Sequence, residues 1–390
     1  MTVTIHGSVA PGFEPVSAAF AAAFDGQPTM GAALSIRRHG AIVVDVWGGV
    51  ADERGGASWQ EDTLSVIFSC TKGLSSILAA RLVSEGRLDY EQPVARYWPE
   101  FAAAGKEAVT VKDLLAHRSG LSAPREPLAV DDIVNWRTVT ERLAAQAPLW
   151  APGSGYAYHA ITHGWLIGEV IRRITGMSVG QYFSDLIATP LGVDAWIGTP
   201  AAMQGRVAHM QVGSTLAELV AEQARSRKVG VTDWIEEAMT LGGALPPELV
   251  GPDTGFNDPR IQAAEIPGAG GICSARALAA IWSATIETTD GVRLLDDATL
   301  ALATRVQSQG APVFEVPGPW PRWGMGFQID SEARRYLTPL GFGHDGAGGQ
   351  VAFADPGPGI GFAFVTNLMQ GNGDNRGTAI VDALREIVCE

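Results

Sequence analysis

A chain of 390 residues with 46% hydrophobic and 18% charged residues, 47 glycines and 23 prolines has the make-up of a turn-rich globular protein, which excludes a disordered or fibrous chain. Its formal net charge of −14 repels phosphate backbones and anionic lipid, so nucleic acid and membrane surfaces are excluded as expected partners and a small uncharged molecule is favoured. Cys70, Cys273 and Cys389 are too few and too scattered for a disulfide framework or a metal knuckle, and they read as reduced.

The first element in chain order is a helix over Pro15–Phe24, with Phe20 and Phe24 on one face. Before it, Met1 to Phe13 shows neither a basic nor an apolar leader pattern; no later stretch is apolar for long enough to span a bilayer, and the cytoplasm is the expected compartment. Alternating segments Ala33–Arg38 and Ala41–Trp47, joined at His39-Gly40, predict a β-hairpin. From Ser69 the period changes: Leu74, Ile77, Leu78 and Leu82 fall at helical spacing, with Gly86 as the stop. Helical patterns dominate from Val109 to Thr240, including Val111–Leu115, His163–Ile174 and Thr215–Arg225. Pro246 to Gly271 reads as an irregular return crossing before a helix over Ser274–Ile286. Strands are predicted at Trp323–Ile329, Phe342–Asp345, Gln350–Ala354 and Gly361–Thr366, then a final helix carrying Ile380, Val381, Leu384 and Val388 on one side. The expectation is an α+β fold: one antiparallel sheet built from both chain ends and flanked by helices, with an inserted helical lobe. Residues 1–65 and 270–390 would form the α/β lobe and 66–269 the helical lobe, with the active-site cleft between them.

The sharpest chemical signal is Ser69-Cys70-Thr71-Lys72. At the start of a helix, residues i and i+3 share a face, so the Lys72 amine would stand beside the Ser69 hydroxyl. A hydroxyl is a weak nucleophile without a base in hydrogen-bond reach, and a desolvated lysine can be neutral near physiological pH. The helix N-terminus adds free N–H groups for an oxyanion.

Four further landmarks follow in order: Val111-Lys112-Asp113-Leu114-Leu115-Ala116-His117-Arg118-Ser119-Gly120-Leu121, Pro152-Gly153-Ser154-Gly155-Tyr156-Ala157-Tyr158, Gly270-Gly271, and His344-Asp345-Gly346. From about Ala32 to the C-terminus the series resembles the serine β-lactamase and penicillin-binding-protein superfamily, and within it the family VIII carboxylesterases. The resemblance implies Ser69 as nucleophile with Lys72 and Tyr158 as its catalytic partners, an acyl-enzyme, and an oxyanion hole from the N–H groups of Ser69 and Ala347. A cationic Lys72 would favour the Tyr158 tyrosinate, letting the phenol oxygen take the serine proton. His344, Asp345, Gly346, His159 and Trp320 are the residues expected to touch or support the substrate. No cofactor and no metal is implied.

Departures from the superfamily pattern narrow the substrate. Many relatives have Tyr-x-Asn where this chain has Tyr158-His159-Ala160, and Lys-Thr-Gly where it has His344-Asp345-Gly346; no Ser-Asp-Asn occurs. The groups that bind an acylamino moiety and a carboxylate are therefore missing, which favours small carboxylic esters; an amidase or D-peptidase, a β-lactamase and an acyltransferase of the same fold are the alternatives.

Gly176-Met177-Ser178-Val179-Gly180 also matches a nucleophile elbow, but the residues before it read as helix, which favours caps at Gly176 and Ser178. His159 and His163 lack a third ligand for zinc. His117 reads as a structural hydrogen-bonder. Pro317–Trp323, Trp136 and Trp150 are candidates for an apolar pocket, and Gly371-Asn372-Gly373 reads as a loop.

Overall fold

The computed structural model describes residues 3–228, 230–371 and 373–389, so the centre of the Gly371-Asn372-Gly373 reading lies outside the described residues. The principal sheet takes β1 (Ile5–Val9), β2 (Gly31–Arg38) and β3 (Ala41–Asp52) from the start of the chain. From its end come β4 (Arg322–Trp323), β5 (Gln328–Ile329), β6 (Phe342–Gly346), β7 (Gln350–Asp355) and β8 (Ile360–Thr366). Six helices matter for the site and its frame: α1 (Glu14–Ala22), α2 (Cys70–Ser84), α3 (Thr162–Thr175), α4 (Trp234–Thr240), α5 (Ala275–Ile286) and α6 (Arg376–Val388).

His39 and Gly40 take φ of 50° and 79°, the two left-handed residues of a type I′ turn, and this turn sets the β2–β3 register at Arg38↔Ala41. The sheet order is β1-β3-β2-β8-β7-β6-β5-β4, with the short strand Ala57–Ser58 added on β3. All its pairs are antiparallel, and β2–β8 pairing from Ala32↔Thr366 to Arg38↔Ile360 joins the two ends of the chain. This is the expected α+β sheet. Two details differ from the sequence reading. Trp323–Ile329 is two short strands rather than one, because Gly326 at φ 79° turns the chain back between them. Strand β1, too polar to show the alternation, is an edge strand held by its ladder to β3.

Strand β8 is buried on both faces, with large residues on one side and small ones on the other. Ile360, Phe362 and Phe364 join α1 and α6 residues Phe20, Ile380, Val381 and Leu384 in one core; Ala363 and Val365 belong to the second, with α5 residues such as Leu278 and Trp282. Small residues let α5 lie close on the sheet. The stretch between Ser65 and Cys273 carries most of the remaining helices, with its ends tied by Ser65–Val66 pairing to Gly271–Cys273, which also pairs with Ala195–Ile197. Among the described residues no helix is long and apolar enough to cross a membrane.

A Cβ at Gly361 would lie 2.5 Å from the Ser283 nitrogen and 2.6 Å from the Ala279 carbonyl of α5, both backbone atoms that cannot swing aside. Gly361→Ala is therefore expected to destabilise the fold by about 1–3 kcal/mol, read as a lower urea midpoint; an unchanged midpoint would refute this packing.

Candidate active site

Phe68 turns the chain into α2 with φ of 42°, a strained value for an aromatic residue, and is held there by burial and an edge contact with Phe256. Ser69 follows as the helix cap residue, but its hydroxyl makes no capping bond and is left free. Helix α2 is apolar or tightly packed on nearly every side, which carries Lys72 fully into the interior. Its Nζ lies 2.9 Å from Ser69 Oγ, 2.5 Å from the Ala160 carbonyl and 2.8 Å from the Gly268 carbonyl. The last of these carbonyls reaches the lysine because α3 presents Gly164, where a Cβ would lie 1.9 Å from the Gly268 nitrogen. The bland alternative for Ser69-x-x-Lys72, a capping serine with a surface lysine, fails on both residues.

The loop that carries Tyr158 is pinned by the Val111–Leu121 segment. A capping box between Thr110 and Asp113 starts that helix, and His117, at φ 61°, accepts on Nδ1 from the His159 N–H at 3.2 Å while its carbonyl accepts from the Ala157 N–H at 3.1 Å. His159 is buried: its Nδ1–H donates to the Ala157 carbonyl at 2.7 Å, and its Nε2 lies 2.8 Å from Ser119 Oγ and 3.3 Å from the Leu121 nitrogen. Both ring nitrogens are occupied by protein partners, so His159 braces the loop, and it is not among the residues lining the cavity beside Tyr158. Tyr158 itself stacks on Trp323 with ring centroids 5.3 Å apart at 17°, and Lys72 Nζ lies 4.8 Å from its ring centre.

Burial sets the protonation states. It pushes the Lys72 amine well below its usual range, with only Cys70 acting weakly the other way; it raises the Tyr158 phenol, against the opposing effect of the neighbouring Ser69 hydroxyl. Burial thus disfavours the charged form of both groups, a direction opposite to a lysine cation sustaining a tyrosinate.

Strand β6 borders the cleft. A Cβ on Gly346 would lie 2.4 Å from the Ile67 carbonyl, so glycine there brings the strand against the turn that holds Ser69. Among the described residues, no turn, loop or cap carbonyl accepts from the N–H of Ser69 or of Ala347. His344 is buried, donates from Nδ1 to the Asp345 carbonyl at 2.7 Å, and is pushed down to about 3 by burial, then by Lys72. Asp345 faces Arg334 at 3.0 Å. A cavity of about 350 Å³ opens beside Tyr158 and His344, walled by Tyr156, Phe314, Trp320, Pro321 and Trp323 with Trp234, Ile235 and Met239 of α4. Trp320 lines it as expected. Trp136 and Trp150 do not: Trp136 hydrogen-bonds Glu169 at 2.7 Å on the outer side of α3, and Trp150 packs edge-on behind Phe314. The α4 residues escaped the sequence reading; apolar positions 234, 235, 238 and 239 do trace one helical face, but over too short a span to stand out.

At the elbow-like match, Gly176 ends α3 at φ 74° and Ser178 accepts from the Gln181 N–H as the next cap, with its hydroxyl donating to Glu265. No strand precedes this serine, so it is a capping residue. Among the described residues, no three His, Cys, Asp or Glu side chains are placed to hold a metal ion.

The nucleophile-and-lysine geometry on this sheet has a counterpart in sequence: residues 16–386 match the family described as beta-lactamase. The chain belongs to the beta-lactamase family. Within that family it is 34% identical over 371 residues to the esterase/beta-lactamase LipL of Mycobacterium tuberculosis, an alignment covering 94% of this chain and 83% of LipL. A crystal structure described as a family VIII carboxylesterase superposes with a TM-score of 0.86 at 35% identity, covering 98% of this chain and all of the other. A penicillin-binding-protein homologue from Caulobacter crescentus gives the same TM-score at 34% identity, covering 98% of this chain and all of that one. Beta-lactamase-family relatives thus span esterase, lactamase and penicillin-binding names.

The buried histidines give this family member a defined acid sensitivity. His159 is lowered to about 4 and His344 to about 3, while an unfolded histidine titrates near ~6.5, so the unfolded state binds more protons as pH falls below that value. Their contribution is intact above ~6.5 and is lost progressively on acidification, by about 2 kcal/mol for each between about pH 7 and pH 5. In urea titrations at those two pH values, His159→Gln should shrink the stability difference by about that amount. An unchanged difference would show that His159 is not held neutral.

Proposed function

We propose that the chain is a serine hydrolase of small uncharged carboxylic esters, working through an acyl-enzyme on Ser69 with Lys72 as base. The observation that carries this reading is the fully buried Lys72 amine 2.9 Å from Ser69 Oγ, with an aromatic cavity opening beside Tyr158. No lysine or arginine is among the described side chains lining that cavity, which disfavours the carboxylate of a β-lactam or a peptide terminus. Ala160 lines it where many relatives place an asparagine, which leaves nothing there for an acylamino group. The esterase names among the relatives agree with this selection.

A neutral amine has two N–H donors and one lone pair. The Ala160 and Gly268 carbonyls match the donors, and the lone pair is left for the Ser69 proton. Ser69 Oγ attacks the ester carbonyl as its proton passes to Lys72, and the N–H groups of Ser69 and Ala347 donate hydrogen bonds to the oxyanion. As the carbon–oxygen bond to the alcohol breaks, the Tyr158 phenol protonates the leaving oxygen and recovers its proton from the Lys72 ammonium. Water then attacks the acyl-enzyme, giving its proton to Lys72, and as the bond from the acyl carbon to Ser69 Oγ breaks the Lys72 ammonium returns that proton to Oγ and the acid leaves. On this reading the cleft lies between 66–269, which holds Ser69, Lys72 and Tyr158, and the lobe of 1–65 and 270–390, which supplies β6. Three free cysteines, two of them buried, fit a reducing cytoplasm.

Ser69→Ala should lower hydrolysis of a short-chain p-nitrophenyl ester by at least about 10⁴-fold with an unchanged melting temperature, and a fluorophosphonate should label Ser69. Near-full activity in that variant would remove the assignment; faster turnover of amides or a chromogenic cephalosporin than of esters would replace it. The rate should rise with pH as the Lys72/Tyr158 pair loses a proton, with an apparent pKa well below that of free lysine, then level off. A rate still climbing above about pH 10 would return the base role to the phenol, whose pKa burial raises.

A further inference from the structure

Among the described residues lining the cavity, four buried side-chain polar atoms have no hydrogen-bond partner, Ser122 Oγ, Trp323 Nε1, His344 Nε2 and Asp345 Oδ1, and of these only the histidine nitrogen belongs to a neutral ring and can act solely as an acceptor. The His344 ring is 2% exposed, and its Nδ1 is 2.7 Å from the Asp345 carbonyl, an atom that only accepts, so the proton sits on Nδ1. In the neutral ring Nε2 is then an acceptor, and it is buried without a hydrogen-bond donor while the residue lines the cavity. Desolvation of an imidazole nitrogen with no partner costs free energy, and buried acceptors of this kind are normally matched. The rest of the wall is aromatic or aliphatic save for a few groups near this end. Among these, the Asp345 carboxylate is balanced by Arg334 at 3.0 Å, so the site does not need a cation to neutralise it. The low basicity of His344, pushed down to about 3, keeps Nε2 unprotonated across the working range.

We propose that His344 Nε2 selects esters bearing a neutral hydroxyl a few bonds from the reacting carbonyl, accepting a hydrogen bond from that hydroxyl while the apolar remainder fills the aromatic cavity. The inference rests on the ester-hydrolase reading and deepens it. Position fits: His344 lines the cavity, and its ring lies 6.1 Å from that of Tyr158, which neighbours Ser69. The role inverts that of a lysine at the same place, which donates to a carboxylate.

The test compares kcat/KM in a pH-stat assay for ethyl butanoate, ethyl 2- and 3-hydroxybutanoate, 2-hydroxyethyl butanoate and ethyl 3-aminobutanoate. Turnover of ethyl butanoate that is lost in Ser69→Ala checks the underlying reading separately. The expected result is that at least one hydroxy ester is preferred over ethyl butanoate by about ten- to a hundredfold, the effect of leaving one buried acceptor unmatched. In His344→Phe the ratio should fall to about one, whatever happens to the absolute rate, and His344→Gln, which keeps an acceptor, should restore part of it. A second readout leaves His344 unchanged: in Ser69→Ala, which should not turn the ester over, the ¹⁵N resonance of His344 Nε2 should move upfield when the preferred hydroxy ester is added, and not with ethyl butanoate. Equal rates for all the neutral esters, a ratio that survives in His344→Phe, an unmoved resonance, or a preference confined to the amino ester would each overturn the proposal.

Discussion

An amine buried without a carboxylate is the constraint around which this molecule is arranged. Burying an ammonium ion costs several kcal/mol even after relaxation, and Lys72 has only two carbonyls and one hydroxyl to offset it. Deprotonation removes most of that cost. The surroundings are what make the choice: α2 buries its own Ile77 and Leu78 in the core, α3 packs against it, and Gly73 lets the Trp282 ring of α5 lie where any Cβ would stand within 2.5 Å of it. Gly164 and Gly268 let the two backbones meet so that a carbonyl, rather than water, reaches the amine. The same enclosure that stabilises the fold by excluding water also disfavours the ammonium form of the amine beside Ser69.

The histidines around the lysine obey the same rule. His117, His159, His163 and His344 are all buried and all held below the usual histidine range by desolvation, with Lys72 contributing in each case. Neutral imidazoles act as polar spacers here: they make directed hydrogen bonds, as His159 does to Ala157 and Ser119, and bring no charge near the amine. Substituting a permanent cation for any of them would push Lys72 lower and cost desolvation of its own, and a carboxylate would pull it back toward ammonium.

Much of this was legible in the sequence because it is written in local patterns. The His39-Gly40 turn, the α2 period after Ser69 and the caps at Gly176 and Ser178 depend on neighbours in the chain, and the structure has them where the residues predict. The pairing of β2 with β8 was inferable from strands at both termini, but its register was not, since that depends on side-chain volumes across two cores. For Lys72 and Tyr158 the residues left two patterns open, a desolvated neutral lysine and a lysine cation beside a tyrosinate. Residue type fixes a free pKa, whereas burial depends on how α2, α3 and the Tyr158 loop close over the pair, and that burial disfavours a charge on either group. Likewise, Trp136, Trp150 and Trp320 have the same side chain; only packing put the last in the cavity wall and the first two elsewhere.

Arg334 completes the electrostatic account. Asp345 stands one residue from His344 on the strand that borders the cleft, and a bare carboxylate there would act on Lys72 as a counter-ion, favouring the ammonium form, which has no lone pair to take a proton. Instead Arg334, itself nearly buried, lies 3.0 Å from Asp345, and the carboxylate does not figure among the influences on the lysine. The pairing has a second effect at the cavity wall. With its charge balanced, Asp345 adds little attraction for cationic ligands, and the absence of lysine and arginine among the described lining side chains adds none for anionic ones. Selection is left to shape, apolar contact and single hydrogen bonds, which is the selectivity a neutral ester requires.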